Sequence, residues 1–121
     1  MRAESQLQRA CVRWFRIQYR QHSRLLFAIP NGARLQGTKI DRAKQWHSLE
    51  REGAVSGAPD LFLAIPARGF HGIFLEMKTS TGRQTPEQRA FQAACVAQGY
   101  KYDIPRSLTE FIEIITEYLT A

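Results

Sequence analysis

The sequence predicts an α/β fold, with a mixed central sheet of about four strands flanked by helices. Three observations carry this. Segments with apolar residues at three- and four-residue spacing alternate with short runs of β-branched, aromatic and aliphatic residues. The order along the chain reads helix, strand, helix, hairpin, helix, strand, helix. The 121 residues are 44% hydrophobic and 23% charged, which suits an ordinary globule with one core. No internal repeat or linker interrupts the pattern, so residues 1–121 read as a single domain.

The first helix is predicted from Ala3 to about Gln21, with Leu7, Ala10, Cys11, Trp14, Phe15 and Ile17 as its apolar stripe. Arg9, Arg13, Arg16 and Arg20 fall largely off that stripe; a solvated face and a phosphate-contacting face both account for them. Glu4 is an acid in the first turn, where the helix dipole favours it. Leu25 to Ile29 reads as the first strand, closed by the turn residues Pro30-Asn31-Gly32. A second helix is expected over Thr38 to Glu52, with Ile40, Ala43, Trp46 or His47, and Leu49 facing inward and Gly53 as its C-cap. Arg34, Lys39, Arg42 and Lys44 make this region basic.

Leu61 to Ile65 and Ile73 to Met77 are strand-length runs, and the loop Pro66 to His71 makes a hairpin their simplest connection. Ser80 to Gln84 is a polar connector. Thr85-Pro86-Glu87-Gln88 then starts a helix, with Thr85 as N-cap, Pro86 in the first turn and Gln88 closing a capping box. That helix ends near Gln98 with Gly99 as its cap, and Tyr100 to Ile104 is the fourth strand. Ser107-Leu108-Thr109-Glu110 has the form of a second capping box, opening a last helix through Leu119. This helix is apolar around much of its circumference, enough for packing on the sheet and for a dimer contact.

Charge and composition narrow the function classes. The formal charge of +6 and pI of about 9.8 favour a polyanionic partner. Cys11 and Cys95 lie in helical patterns without a Cys-x-x-Cys, so they read as reduced, buried thiols and not as zinc ligands. His22, His47 and His71 lack metal-ligand spacing, and neither a Gly-rich phosphate loop nor an acyl-transfer triad is present. No apolar run approaches membrane-spanning length and no signal peptide precedes the first helix; a cytoplasmic protein without a membrane partner is expected.

Chemistry concentrates between Ser56 and Thr79. Side chains alternate faces along a strand, so Phe74, Glu76 and Lys78 share one face and Ile73, Leu75 and Met77 the other. Folding the hairpin sets Asp60 opposite Glu76, giving two carboxylates and an ammonium at one end of the sheet. A surface salt bridge is the bland reading of Glu76 and Lys78. The chemical reading is a Mg²⁺ or Mn²⁺ site, since paired carboxylates repel unless a cation lies between them; the Met77 carbonyl would add a third oxygen. Lys78 would then orient the attacking water or stabilise charge on a phosphate.

Pro59-Asp60 followed by Glu76-Met77-Lys78 resembles the signature of PD-(D/E)xK nucleases. With Asn31-Gly32, Glu52-Gly53, Gly57-Ala58-Pro59-Asp60 and Thr85-Pro86-Glu87-Gln88, the chain looks like the VRR-NUC nuclease family over nearly its whole length. The resemblance implies a restriction-endonuclease-like fold. It brings Glu4 of the first helix to the metal site, where dipole stabilisation is the alternative role, and Gln88 to the catalytic centre, where capping is the alternative. It sets Asn31 near the active centre, turn chemistry being the alternative, and makes Arg106 the match to one arginine of the family's Val-Arg-Arg segment. The chain departs from that segment, having Asp103-Ile104-Pro105-Arg106, and Pro105 is expected to break strand pairing there.

The expected function is a Mg²⁺- or Mn²⁺-dependent, structure-selective DNA endonuclease. Stand-alone relatives look like junction-resolving homodimers, so the expected substrate is a four-way junction. Asn31, Arg34, Lys39 and Arg106 are the expected DNA contacts. Flap or splayed-arm DNA is the alternative substrate. A ribonuclease and a non-catalytic DNA-binding module are the other classes; a dead copy would usually have lost Asp60, Glu76 or Lys78, and all three are present.

Overall fold

A computed structural model describes residues 3–30 and 35–120. Helix α1 spans Ala3–Gln18 and passes through a 3₁₀ helix, Arg20–Leu25, into strand β1, Leu26–Ala28. Helix α2 (Lys39–Arg51) precedes strands β2 (Leu61–Leu63) and β3 (Ile73–Leu75). Helix α3 (Pro86–Ala97), strand β4 (Lys101–Asp103) and helix α4 (Leu108–Leu119) complete the chain. The four strands form one mixed sheet, as the sequence predicts, and their order is β1-β2-β3-β4. The first two pairings are antiparallel and the β3–β4 pairing is parallel, because α3 crosses over between those strands.

The two faces of the sheet are used differently. Leu61, Leu63, Ile73 and Leu75 point into the main core, with Cys11 and Phe15 of α1 and Phe111, Ile115 and Tyr118 of α4. All of these are fully buried. The opposite face carries Phe62 and Phe74, which pack at tilted angles against Tyr100 and, for Phe74, edge-on against Phe91 of α3. Both cysteines are free and buried, and burial pushes the Cys11 thiol up to about 12. Among the described residues, no helix is long and apolar enough to cross a membrane.

Three elements depart from the sequence expectation. The segment before β1 winds into a 3₁₀ helix, so the strand begins at Leu26. Helix α2 has no inner face: none of its residues is buried, and Ile40 is 68% exposed. Its apolar residues recur at strict three-residue intervals, and at 3.6 residues per turn each step rotates the stripe by about 60°, so no face accumulates. The hairpin loop holds its own tight turn, with Ala67 bridged to Phe70 and positive φ at Arg68 and Gly69.

The helix starts follow their motifs. Thr85 accepts from the Gln88 amide while the Gln88 side chain accepts from the Thr85 amide, the full reciprocal box. Ser107 likewise accepts from the Glu110 amide, but Glu110 reaches back to the amide of Arg106 and not to that of Ser107. Half of the second predicted box is therefore absent.

Candidate active site

Asp60 precedes β2, and Glu76 to Lys78 prolong β3 beyond its last assigned residue. The register Leu61↔Leu75, carried one step on, sets Asp60 level with Glu76. The extension of β3 is held from both sides. Toward β4, the Glu76 amide donates to the Asp103 carbonyl at 3.0 Å and the Lys78 amide to the Pro105 carbonyl at 3.3 Å. Pro105 thus ends the strand yet still continues the ladder with its carbonyl, which proline retains. Toward β2, the Met77 amide donates to Asp60 Oδ2 at 2.7 Å.

Glu76 is completely buried and Lys78 nearly so, at 8% exposure. These are not solvated surface charges. Glu76 Oε1 accepts from the Tyr102 hydroxyl at 2.5 Å and from Gln84 Nε2 at 3.1 Å. Gln84 is itself held by Gln92 Oε1 at 2.9 Å. The other oxygen, Oε2, accepts no hydrogen bond and lies 3.6 Å from Lys78 Nζ. One oxygen is thus anchored by two hydrogen bonds, and among the described residues the other has only Lys78 Nζ beside it. Burial, the hydrogen bond to Glu76 and the charges of Glu76 and Asp60 push the Tyr102 phenol well above its ordinary value, keeping it a donor.

Lys78 is positioned from above by the turn Thr79 to Gly82. The Gly82 amide closes that turn on the Thr79 carbonyl, and Gly82 packs on the Lys78 stem, where an added Cβ would lie 3.1 Å from Cδ. Arg106 pins the turn, with Nη1 donating to the Thr79 carbonyl at 2.8 Å and to that of Gly82 at 2.6 Å. Asp60 is positioned from below by Gly57, whose φ of +87° admits no ordinary side chain. An added Cβ there would meet the Glu87 carbonyl at 2.4 Å, so the loop before Asp60 nests under the first turn of α3.

The remaining predicted residues are distributed as follows. Glu4 is exposed in the first turn of α1 and lines the same groove as Asp60. Gln88 is occupied by its capping box; the glutamine that reaches Glu76 is Gln84, held in turn by Gln92. Lys39 is exposed at the start of α2. Asn31 and Arg34, with Gly32, lie outside the described residues. Sequence reasoning gives Gln84 and Tyr102 no role. The signal for Tyr102 is its parallel register opposite Phe74, which requires the strand order and not only the strands.

The donor set suits a hard divalent cation. Asp60 and Glu76 supply carboxylate oxygens, and Glu76 Oε2 is buried without a hydrogen bond. In extended backbone the amide and carbonyl of one residue leave on the same edge, so the Met77 carbonyl turns with its amide toward Asp60. Among the described residues, no group of three or more His, Cys, Asp and Glu side chains is set to hold a metal. Two carboxylates and a carbonyl fit Mg²⁺ or Mn²⁺, which retain several waters, better than an ion that needs a closed protein cage.

The VRR-NUC domain family matches residues 2–107. The chain belongs to this family. VRR-NUC is a nuclease-family domain. A solved structure described as a VRR_NUC domain protein superposes with a TM-score of 0.80, covering 98% of this chain and 89% of that one. At 20% identity that match speaks for the fold. No curated protein matches the chain.

Proposed function

We propose that this VRR-NUC chain is a metal-dependent endonuclease hydrolysing phosphodiester bonds in branched DNA, with Asp60, Glu76 and Lys78 at its centre. One observation carries the reading: a fully buried glutamate keeps one oxygen free of hydrogen bonds, beside a buried lysine. Such a placement is costly unless the oxygen has a ligand. A bound Mg²⁺ or Mn²⁺ would polarise a phosphoryl oxygen and make water a better nucleophile. Asp60 and Glu76 would hold it, with the Met77 carbonyl. Lys78 lies beside Glu76 and would donate to the attacking water or to the phosphate oxygen that gains charge. Tyr102 and Gln84 fix the orientation of Glu76, so that Oε2 stays aimed at the site.

A four-way junction cut in symmetric pairs requires two such centres, hence a homodimer. Flap or splayed-arm DNA is the second reading, and the arginine-lined groove ending at Asp60 favours it. The test is cleavage of matched linear duplex, flap and four-way-junction DNA with EDTA, Mg²⁺ or Mn²⁺, with light scattering of the protein on DNA. Metal-dependent paired cuts by a dimer support the junction reading. Cutting of the flap by a monomer supports the second. Cutting in EDTA would sink the metal-dependent mechanism.

A further inference from the structure

Helix α3 reaches Glu76 through two glutamines. Gln84 lies just before the helix, and Gln92 lies within it, next to Phe91, whose ring packs edge-on against Phe74 of β3. The side-chain nitrogen of Gln84 has two hydrogens, and both are used. Nε2 donates to Glu76 Oε1 at 3.1 Å and to Gln92 Oε1 at 2.9 Å. The Gln84 backbone is held as well, since Arg89 Nη1 donates to its carbonyl at 2.9 Å. Turned over, the Gln84 amide would set its oxygen against the Glu76 carboxylate, which accepts and cannot donate. Glu76 is fully buried, and Gln84 and Gln92 are half-buried. An N–H of Gln84 left there without an acceptor would draw the amide out toward water.

We propose that Gln92 is a positioning residue for Glu76 that acts through Gln84: its side-chain oxygen holds the Gln84 amide with the nitrogen toward Glu76, and Glu76 so held presents Oε2 to a divalent cation. The proposal rests on the reading of Asp60, Glu76 and Lys78 as a metal-dependent centre, and adds a residue that makes no hydrogen bond of its own to any of the three among the described residues. A carboxylate turns about its last side-chain bond over a broad range. One donor, Tyr102, leaves that rotation open, and a second donor on the same oxygen closes it. Supporting groups of this kind change metal affinity by about ten- to a hundredfold. The first turn of α3 also covers the loop before Asp60. One helix thus steadies both carboxylates, Asp60 by its start and Glu76 by Gln92.

The test has two arms, with each variant checked for folding by circular dichroism. The first reads Gln84 in metal-free protein, by NMR exchange of its side-chain amide protons with water. Wild type and Gln92→Glu, which keeps an acceptor, should protect both protons. Gln92→Met, which keeps the length of glutamine without the oxygen, should lose about tenfold in protection. The second arm titrates Mn²⁺ by electron paramagnetic resonance without DNA, and adds Gln84→Leu, the double variant Gln84→Leu/Gln92→Met, and Asp60→Asn. Gln92→Met and Gln84→Leu should each weaken Mn²⁺ binding by about tenfold or more, with Gln92→Glu at least as tight as wild type. The double variant should bind no more weakly than Gln84→Leu alone, because Gln92 acts only through Gln84. Wild-type Mn²⁺ affinity in Gln92→Met overturns the proposal. So does unchanged Gln84 protection in Gln92→Met, or a further loss when Gln92→Met is added to Gln84→Leu. The metal centre is judged separately, by Asp60→Asn. Mn²⁺ binding that Asp60→Asn leaves intact removes the centre, while lost protection in metal-free Gln92→Met still upholds the hold of Gln92 on Gln84.

Discussion

The two oxygens of Glu76 stand in different surroundings: Oε1 accepts from Tyr102 and Gln84, and Oε2 accepts no hydrogen bond among the described residues. The phenol donates to Oε1 from a buried position, and burial, followed by that hydrogen bond, raises its pKa far above the ordinary 10.0. Up to about pH 9 the phenol is protonated in folded and unfolded chains alike and adds no pH dependence. Above that the unfolded chain releases its proton while the fold retains it, so stability falls as pH rises. Tyr118, raised by burial as well, adds to the same slope. Tyr102→Phe should cost about 1–3 kcal/mol near neutrality, by removing a donor from a buried carboxylate. It should also flatten the loss of stability between about pH 9 and pH 11. Urea midpoints across that range measure both; an unchanged alkaline slope in the variant would contradict the account. The residues that bear charge were legible in the sequence, because Glu76 and Lys78 interrupt an apolar run and Asp60 ends the tight entry to the other strand. The residues that hold Glu76, directly or through Gln84, were not. Gln84 and Tyr102, which bond it, and Gln92, which holds Gln84, come from a connector, the last strand and a helix, and only folding brings them together.

At the scale of elements, two backbone devices carry the site. Gly57 lets the loop before Asp60 pass beneath the first turn of α3 with positive φ. Gly57→Ala adds strain at that φ and a clash with the Glu87 carbonyl. We expect a loss of about 2–4 kcal/mol, measured by urea unfolding, together with a loss of cleavage as Asp60 shifts. A neutral result would mean the loop is not seated where described. Arg106 is the second device. The sequence reading gives it a DNA contact, and the fold gives its Nη1 two carbonyls of the turn over Lys78. Arg106→Ala should therefore slow cleavage far more than it weakens DNA binding, read as rate against anisotropy. An equal fall in both would return it to the DNA surface. Element order and capping were legible because periodicity and turn chemistry are local signals. Helix α2 was misread because its apolar residues suggest a face that their three-residue spacing does not sustain. Whether a helix packs depends on where the chain carries it, and that is not local information.

At the scale of the whole molecule, β2, β3 and β4 converge so that Asp60, Glu76 and Lys78 meet at the end of one small sheet, in a protein of charge +6. The buried apolar faces fix the register, and the register fixes the site: a one-residue slip of β3 would turn Glu76 and Lys78 into the main core. The strands lie in the sheet in their order along the chain, each connection joining neighbours, and the four-stranded mixed sheet agrees with the sequence reading. What the charge acts on depends on the shape of the groove between α1 and β1, which no single segment encodes. The central claim is that Lys78 and the two carboxylates form the hydrolytic centre. The most direct measurement compares wild type with Lys78→Ala on the best-cut branched DNA in Mn²⁺, alongside anisotropy for DNA binding. The account predicts a loss of at least a hundredfold in cleavage rate, of the size expected for a group that stabilises developing charge, with DNA binding weakened by less than tenfold. Cleavage by Lys78→Ala within a few-fold of wild type would contradict it and place the chemistry elsewhere.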